Sequence, residues 1–217
     1  MEQTEALKKQ MITVALALHS KNMLAAADGN ISYRISDDEI LITPTGKPKA
    51  LITPDDIAII NLKNEIIYGA PSSERLMHLA VYKNCPKARC VIHAHPATAI
   101  AWSIARPDLT ELPSGCLSEL ILAAGRVPIA PYARPGTKTM GDVLTPFLPE
   151  SRIIILARHG AITWGEDLQE ALNGMERLEH TATILLHATQ LGGITFLPED
   201  EITELHAMRK KIGERIL

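Results

Sequence analysis

From residue 5 to about residue 26 the apolar positions Leu7, Met11, Val14, Ala15 and Leu18 recur at spacings of three and four. That is the period of a helix with one buried stripe, and Asp28-Gly29 supplies a turn to end it. Residues 31–35 and 39–43 then read as strands joined by Ser36-Asp37-Asp38, and residues 57–61 and 65–68 as a second pair around Lys63-Asn64. The period changes at Ser72-Ser73-Glu74, which opens a helix carrying Leu76, Leu79 and Ala80 and closed by Pro86. A short apolar strand over 90–92 runs into His93-Ala94-His95-Pro96, and a helical pattern resumes over 97–105. Residues 127–130 predict a strand between prolines, and a helix should follow Gly136. Residues 152–157 predict a buried strand pairing with 161–164 beyond His159-Gly160. The longest helix spans 167–191 and ends at Gly192-Gly193, and a last one starts at about Glu199. Hairpins set among helices predict an α/β fold, a single-domain α/β/α sandwich with a mainly antiparallel central sheet covered by helices on both faces.

A chain of 217 residues is within reach of one hydrophobic core, so residues 1–217 are expected to form one domain. With 46% apolar and 22% charged residues it has ordinary globular usage, which excludes a disordered chain, a collagen-like repeat and a coiled-coil rod. Lys and Arg total 22 against 25 Asp and Glu, a formal charge of −3, so there is no basic excess to recruit nucleic acid. No apolar run approaches the roughly 18 to 20 residues that span a bilayer, so no membrane partner is expected. Cys85, Cys90 and Cys116 are an odd set without a C-x-x-C pair, which suits a reducing cytoplasm, and MEQTEALKKQ does not read as a secretory signal.

His93 and His95 are one residue apart at the end of a strand, where the two-residue period of extended chain sends both imidazoles to one side. Imidazole is the commonest neutral ligand of Zn²⁺, and a catalytic site needs about three protein ligands with one open position. His159, just past the apolar strand and followed by a glycine that lets backbone pass close by, is the third candidate. An isolated H-x-H pair also arises by coincidence in cores and on surfaces. His180 and His187 share a helix face without completing a cluster, and His19, His78 and His206 lie in helices without ligand spacing, so these five read as structural. Glu74 in a first helical turn is favoured by the helix dipole alone. Ser72 and Ser73 at that helix start, with Gly29-Asn30 and Thr45-Gly46 in two further turns, offer hydroxyls and backbone N–H groups that could converge on a phosphate. There is no H-E-x-x-H, G-x-S-x-G, P-loop or G-x-G-x-x-G pattern.

Six segments occur in a telling order: Gly29-Asn30-Ile31-Ser32, Leu41-Ile42-Thr43-Pro44-Thr45-Gly46, Pro71-Ser72-Ser73-Glu74, His93-Ala94-His95-Pro96, Pro131-Tyr132 with Pro135-Gly136-Thr137, and Arg158-His159-Gly160. With them the sequence resembles the class II aldolase/adducin family, nearest to its L-fuculose-phosphate aldolase branch, over nearly the whole chain. The resemblance implies a Zn²⁺ ion, replaceable by Mn²⁺, Co²⁺ or Fe²⁺, on His93, His95 and His159, with Glu74 as general acid/base. It implies a substrate phosphate site from Asn30, Thr45, Gly46, Ser72 and Ser73. It further implies a homotetramer with active sites between subunits, and reversible cleavage of a ketose 1-phosphate to dihydroxyacetone phosphate and an aldehyde through a metal-stabilised enediolate. Glu at position 74, where similar 4-epimerases carry Asp, points to aldolase.

Two positions depart from the pattern. The segment over 117–122, where fuculose-type enzymes carry a tyrosine that reaches an adjacent subunit, reads Leu117-Ser118-Glu119-Leu120, and no tyrosine stands near Ile212. Glu119 is the expected replacement, as base for the C4 hydroxyl in cleavage. It resembles the carboxyl group that methylthioribulose-phosphate dehydratases use, so a 5-deoxy- or 5-methylthio-ribulose 1-phosphate joins the fuculose-like substrate as a candidate. The alternatives are a sugar-phosphate 4-epimerase or dehydratase on the same site and, remotely, a non-catalytic adducin-like module.

Overall fold

The computed structural model describes residues 2–213, 215 and 216. It begins with α1 (Glu2–Ser20), followed by β1 (Asn30–Arg34), β2 (Glu39–Ile42), β3 (Ala58–Asn61) and β4 (Ile66–Tyr68). Next come α2 (Arg75–Asn84), β5 (Cys90–Ala94), α3 (Ala97–Ala105), α4 (Ser118–Ala123), β6 (Ile129–Ala130) and α5 (Thr139–Asp142). The chain ends with β7 (Ile153–Leu156), β8 (Gly160–Gly165), α6 (Leu168–Gln190) and α7 (Glu199–Ile212). The strands form one sheet in the order β4-β3-β2-β1-β5-β8-β7-β6, antiparallel at every pairing except β6 with β7.

Alternate residues of each strand feed two separate cores, as the pleat requires. Ile31, Cys90, Ile92, Ala94 and Ala161 face the layer of α1, α3 and α6. Val91, Ile162 and Trp164 face the opposite layer, where α2 contributes Met77 and Val81 and α5 contributes Met140. The expected α/β/α sandwich is therefore the observed one. Among the described residues no helix is long and apolar enough to cross a membrane.

Several boundaries differ from the sequence reading for local reasons. The first helix stops at Ser20, not near residue 26, because Asn22 turns left-handed at φ 58° and the chain closes on itself. The N–H of Met23 donates to Leu18 O at 3.0 Å and that of Asn22 to His19 O at 3.0 Å, a Schellman ending. The strand expected over 90–92 continues through Ala94, so His93 sits inside it, held in register opposite Ile162 and Asn30. The strand expected over 127–130 shrinks to Ile129–Ala130, and the helix after Gly136 to the four residues Thr139–Asp142.

One buried charge ties the far end of the molecule together. Glu170, 3% exposed, accepts hydrogen bonds from Arg152 Nη1 at 3.0 Å, Arg215 Nε at 3.0 Å, and the N–H groups of Glu166 at 2.8 Å and Ile216 at 2.9 Å. Arg152 also donates to Glu166 and lies 4.3 Å over the Trp164 ring. Removing the Glu170 carboxylate takes one partner from the buried Arg152 and leaves the Ile216 N–H unpaired, and breaking one side of such a buried pair typically costs about 3–5 kcal/mol. Glu170→Ala should therefore lower unfolding free energy by that amount in urea titrations, and a loss under about 1 kcal/mol would mean that the cluster is hydrated.

Candidate functional site

His93, His95 and His159 reach one point from two hairpin-related places. β5 delivers His93, and His95 follows one residue beyond its end. Its backbone N–H is tied to Met23 O at 2.8 Å, and α3 starts just after it with Glu179 of α6 capping the N–H groups of Thr98 and Ala99. His159 lies in the turn between β7 and β8, where Arg158 takes φ 60° and its N–H is held by Ser103 Oγ at 2.9 Å. Gly160 makes the convergence possible. A Cβ there would stand 2.6 Å from Ala94 O, 2.8 Å from His93 Cε1 and 2.9 Å from His95 Cδ2. Ring centroids are 4.8 to 5.2 Å apart, and one nitrogen of each ring lies within 4.8 Å of the others.

The proton positions follow from the partners. His93 Nδ1 faces Ala161 O at 2.9 Å and His95 Nδ1 faces Asp28 Oδ2 at 3.3 Å, so each Nδ1 must carry the hydrogen. Burial pushes the His93 imidazole down to about 3 and also lowers that of His95, so both rings are neutral and have no second proton. Their Nε2 lone pairs nevertheless confront each other at 3.1 Å. His159 brings its Nε2 to the same cluster, 3.2 Å from Glu74 Oε1, while its buried Nδ1 has no hydrogen-bond partner among the described residues. Bare imidazole nitrogens aimed at one another suit a divalent cation between them, and an all-nitrogen donor set of this kind accepts zinc and other first-row ions. The residues thus fit the group that the sequence led us to expect.

Glu74 closes the cluster. It occupies the N-cap position of α2, one residue before the helix rather than inside it, and its side chain is 15% exposed. Oε2 lies 3.4 Å from His93 Nε2 and Oε1 lies 3.2 Å from His159 Nε2, while Asn30 Nδ2 donates to Oε2 at 3.0 Å. Burial alone would raise this carboxyl. The hydrogen bonds that His159 and the Asn30 amide donate outweigh burial and hold it at about 2, so Glu74 is ionised at neutral pH.

All five expected phosphate residues, Asn30, Thr45, Gly46, Ser72 and Ser73, line one cavity of about 430 Å³ together with Glu74, His95 and His159. Two of its loops are zipped to each other, Thr45 N–H to Ala70 O and Ser72 N–H to Thr43 O, both at 3.1 Å. This corrects the expectation of free amides there: those two N–H groups brace the loops, while Gly46 is left-handed with open space beside it. Glu119 is not in this cavity; it is exposed on α4, beside Ser118.

Sequence reading missed two lining residues. Lys49 is 2% exposed and ties the first loop to the second, donating to Ala27 O at 2.7 Å and Lys47 O at 2.9 Å. Burial lowers its pKa while Asp28 and Glu74 push back. Asp28, read as a turn residue, orients His95. A charged residue three positions after a Gly-x turn carries no pattern that would have singled it out.

Comparison with known proteins places these features in context. The model of the Class II Aldolase and Adducin N-terminal domain matches residues 9–186. The chain is 33% identical over 211 residues to a 3-oxo-tetronate 4-phosphate decarboxylase of Escherichia coli (strain K12), covering 94% of this chain and 96% of that protein. It is 30% identical over 217 residues to a 5-deoxy-D-ribulose 1-phosphate aldolase of Bacillus thuringiensis serovar kurstaki, covering 96% and 97%. Among solved structures, YgbL of Escherichia coli superposes with a TM-score of 0.87 at 30% identity over 94% of this chain and 99% of that one. An L-fuculose 1-phosphate aldolase gives 0.84 at 27% over 94% and 95%.

Two outcomes are expected of the cluster. Gly160→Ala should push aside the Ala94 carbonyl and the His93 and His95 rings, so its folded fraction, isolated by size-exclusion chromatography, should hold well less zinc by elemental analysis than the parent; unchanged zinc in that fraction would place the ion elsewhere. In chelator-treated protein, His93 and His78, each pushed down to about 3 by burial, protonate near 6.5 only when unfolded. The unfolded chain therefore binds more protons between those values, and stability should fall as pH drops from about 6.5 toward 3, by up to about 1.4 kcal/mol per pH unit for each group. Urea midpoints measured across that range would read the slope, and a flat profile would contradict it.

Proposed function

The chain belongs to the class II aldolase and adducin family, a metal-dependent enzyme of that family, and we propose that it is a lyase breaking a carbon–carbon bond beside the ketone of a small phosphorylated substrate. The observation that carries this is the Glu74 carboxylate standing 3.4 Å and 3.2 Å from two of three converging imidazoles, at the inner end of a cavity whose walls suit an anion.

His93, His95 and His159 would hold the ion, most simply Zn²⁺. When bound, it supplies Lewis-acid polarisation of the substrate carbonyl and a sink for the electron pair released by the breaking bond. The protein's own groups do the rest. The Thr45, Ser72 and Ser73 hydroxyls, Gly46 and the Lys49 ammonium grip the phosphate, so binding energy from the unreactive end orients the reacting carbon. Glu74, ionised at rest, takes up a proton and returns it to the carbon from which the leaving group departs.

The named substrates of the two relatives share what is kept. Loss of the carboxyl carbon from a 3-oxo-tetronate 4-phosphate leaves dihydroxyacetone phosphate, and cleavage of 5-deoxyribulose 1-phosphate between C3 and C4 leaves the same fragment plus acetaldehyde. Decarboxylation needs one proton, taken from water and passed to carbon by Glu74; aldol cleavage also needs a base for the hydroxyl of the departing aldehyde. Among the described carboxylates lining the cavity, Asp28 is committed to His95 and Glu74 alone is free for proton transfer. Decarboxylation of a four-carbon 3-oxo acid phosphate is therefore our first reading. Aldol cleavage is the second, favoured by the exposed Glu119 carboxylate, which a neighbouring copy in a homotetramer would have to bring to the cavity.

Zinc-loaded protein should release dihydroxyacetone phosphate and equimolar CO₂ from 3-oxo-tetronate 4-phosphate, read by a coupled reductase and a carbonate assay. The efficiency should exceed that with 5-deoxyribulose 1-phosphate by at least about tenfold. Glu74→Gln should lower kcat by about 10²- to 10⁴-fold. Greater efficiency with the ketose, lost in Glu119→Gln, would select the second reading; turnover of neither would end the lyase reading.

A further inference from the structure

We propose that His78 is a positioning residue for this site: its Nε2–H fixes the side-chain amide of Asn30 so that the Asn30 NH₂ group holds the Glu74 carboxylate against His93 and His159. The role rests on the reading of Glu74 given above. His78 belongs to neither the ion cluster nor the anion loops, and sequence spacing marked it only as a helix histidine.

Glu74, His78 and Tyr82 recur at intervals of four, one stripe along α2 that faces β1. Across the gap, Asn30 and Ser32 project from the same face of β1, opposite His93 and Val91 of β5. The five polar groups form one chain: Tyr82 Oη to Ser32 Oγ at 2.8 Å, Ser32 Oγ to His78 Nδ1 at 2.7 Å, His78 Nε2 to Asn30 Oδ1, and Asn30 Nδ2 to Glu74 Oε2 at 3.0 Å. Ser32 and His78 are fully buried, and Asn30 and Tyr82 are each 2% exposed.

An ionised carboxylate only accepts, so the Asn30 atom facing Glu74 must be its NH₂ group, and its Oδ1 must then accept from His78. His78 therefore carries its hydrogen on Nε2. Burial pushes its imidazole down to about 3, so it holds no second proton and its bare Nδ1 takes the Ser32 hydroxyl proton. With the Ser32 hydrogen given to His78, the Tyr82 hydroxyl is the donor between Tyr82 and Ser32 at 2.8 Å, a hydrogen it shares with Arg89 O at 3.3 Å. From Ser32 onward each donor points toward Glu74. Were the Asn30 amide reversed, its oxygen would face the ionised Glu74 carboxylate, a repulsion in a dry site where such terms are large. A histidine buried merely for packing would not need one particular tautomer.

The test uses the intact metal-loaded enzyme. ¹⁵N-histidine spectra, with His78 assigned by its loss in His78→Gln, should show the Nε2–H tautomer unchanged from about pH 6 to about pH 9. His78→Leu removes the donor; its kcat should fall about 10- to 100-fold with metal content unchanged. In His78→Gln the amide NH₂ sits where Nε2 did, and kcat should return to within about threefold of the parent, whereas His78→Asn, whose amide stops short at the Nδ1 place, should not recover. An Nδ1–H tautomer, equal kcat in the Leu and Gln variants, or full recovery in the Asn variant would overturn the proposal. If His78→Leu does not fold, the tautomer and the Gln-against-Asn comparison decide. A parent enzyme inactive on every ketose and keto acid phosphate would refute the lyase reading instead, and the tautomer would still report on the chain.

Discussion

Three imidazoles and a carboxylate occupy one small volume at the ends of central strands, and the facing Nε2 lone pairs of the neutral His93 and His95 rings are best accommodated with something positive between them. The Nδ1 atoms of His93 and His95 are committed to Ala161 O and Asp28, which turns both Nε2 atoms inward. Nothing in the backbone can relax this. His93 is locked between β1 and β8 by register, His95 is tied to Met23 O, and Gly160 lacks the one atom that would force the rings apart. Much of the neighbouring structure serves that convergence: Ser103 braces Arg158, Glu179 caps α3 directly behind His95, and Asn30 steadies Glu74.

The two ends of the cavity have opposite character. At one end, burial keeps His93 and His95 neutral, able to offer lone pairs to an ion, with Glu74 ionised beside them. At the other, the cross-braced loops at Thr45 and Ser72 present hydroxyls, and a buried lysine supplies the formal positive charge.

Wherever a signal was periodic or local, the chain was readable in advance. The helices at 97–105 and 167–191, the hairpin of β1 and β2, and the helix start after Ser72-Ser73 appear within a few residues of where their patterns put them. Patterns could not show where competing local geometries would win. The left-handed Asn22 cut α1 short, and the residues after Gly136 gave only one helical turn because they pack as a plug under α2. The three histidines were legible because apolar strand-like runs lead into H-x-H and His-Gly. Lys49, Asp28 and the buried orientation of His78 were not, since each depends on a partner tens of residues away.

The order of amino acids by itself determined the alternation that builds the sheet, the helix stripes that cover it and the residue types able to bind an ion and an anion. All of these are set by neighbours within a turn or a strand. Tertiary structure alone decided which nitrogen of each ring is free, which way the Asn30 amide points, which loop N–H groups are spent on bracing and where Glu119 lies relative to the cavity. Those outcomes depend on hydrogen-bond partners and low dielectric assembled from β1, α2, β5 and the β7–β8 turn, elements that meet only when the chain has packed.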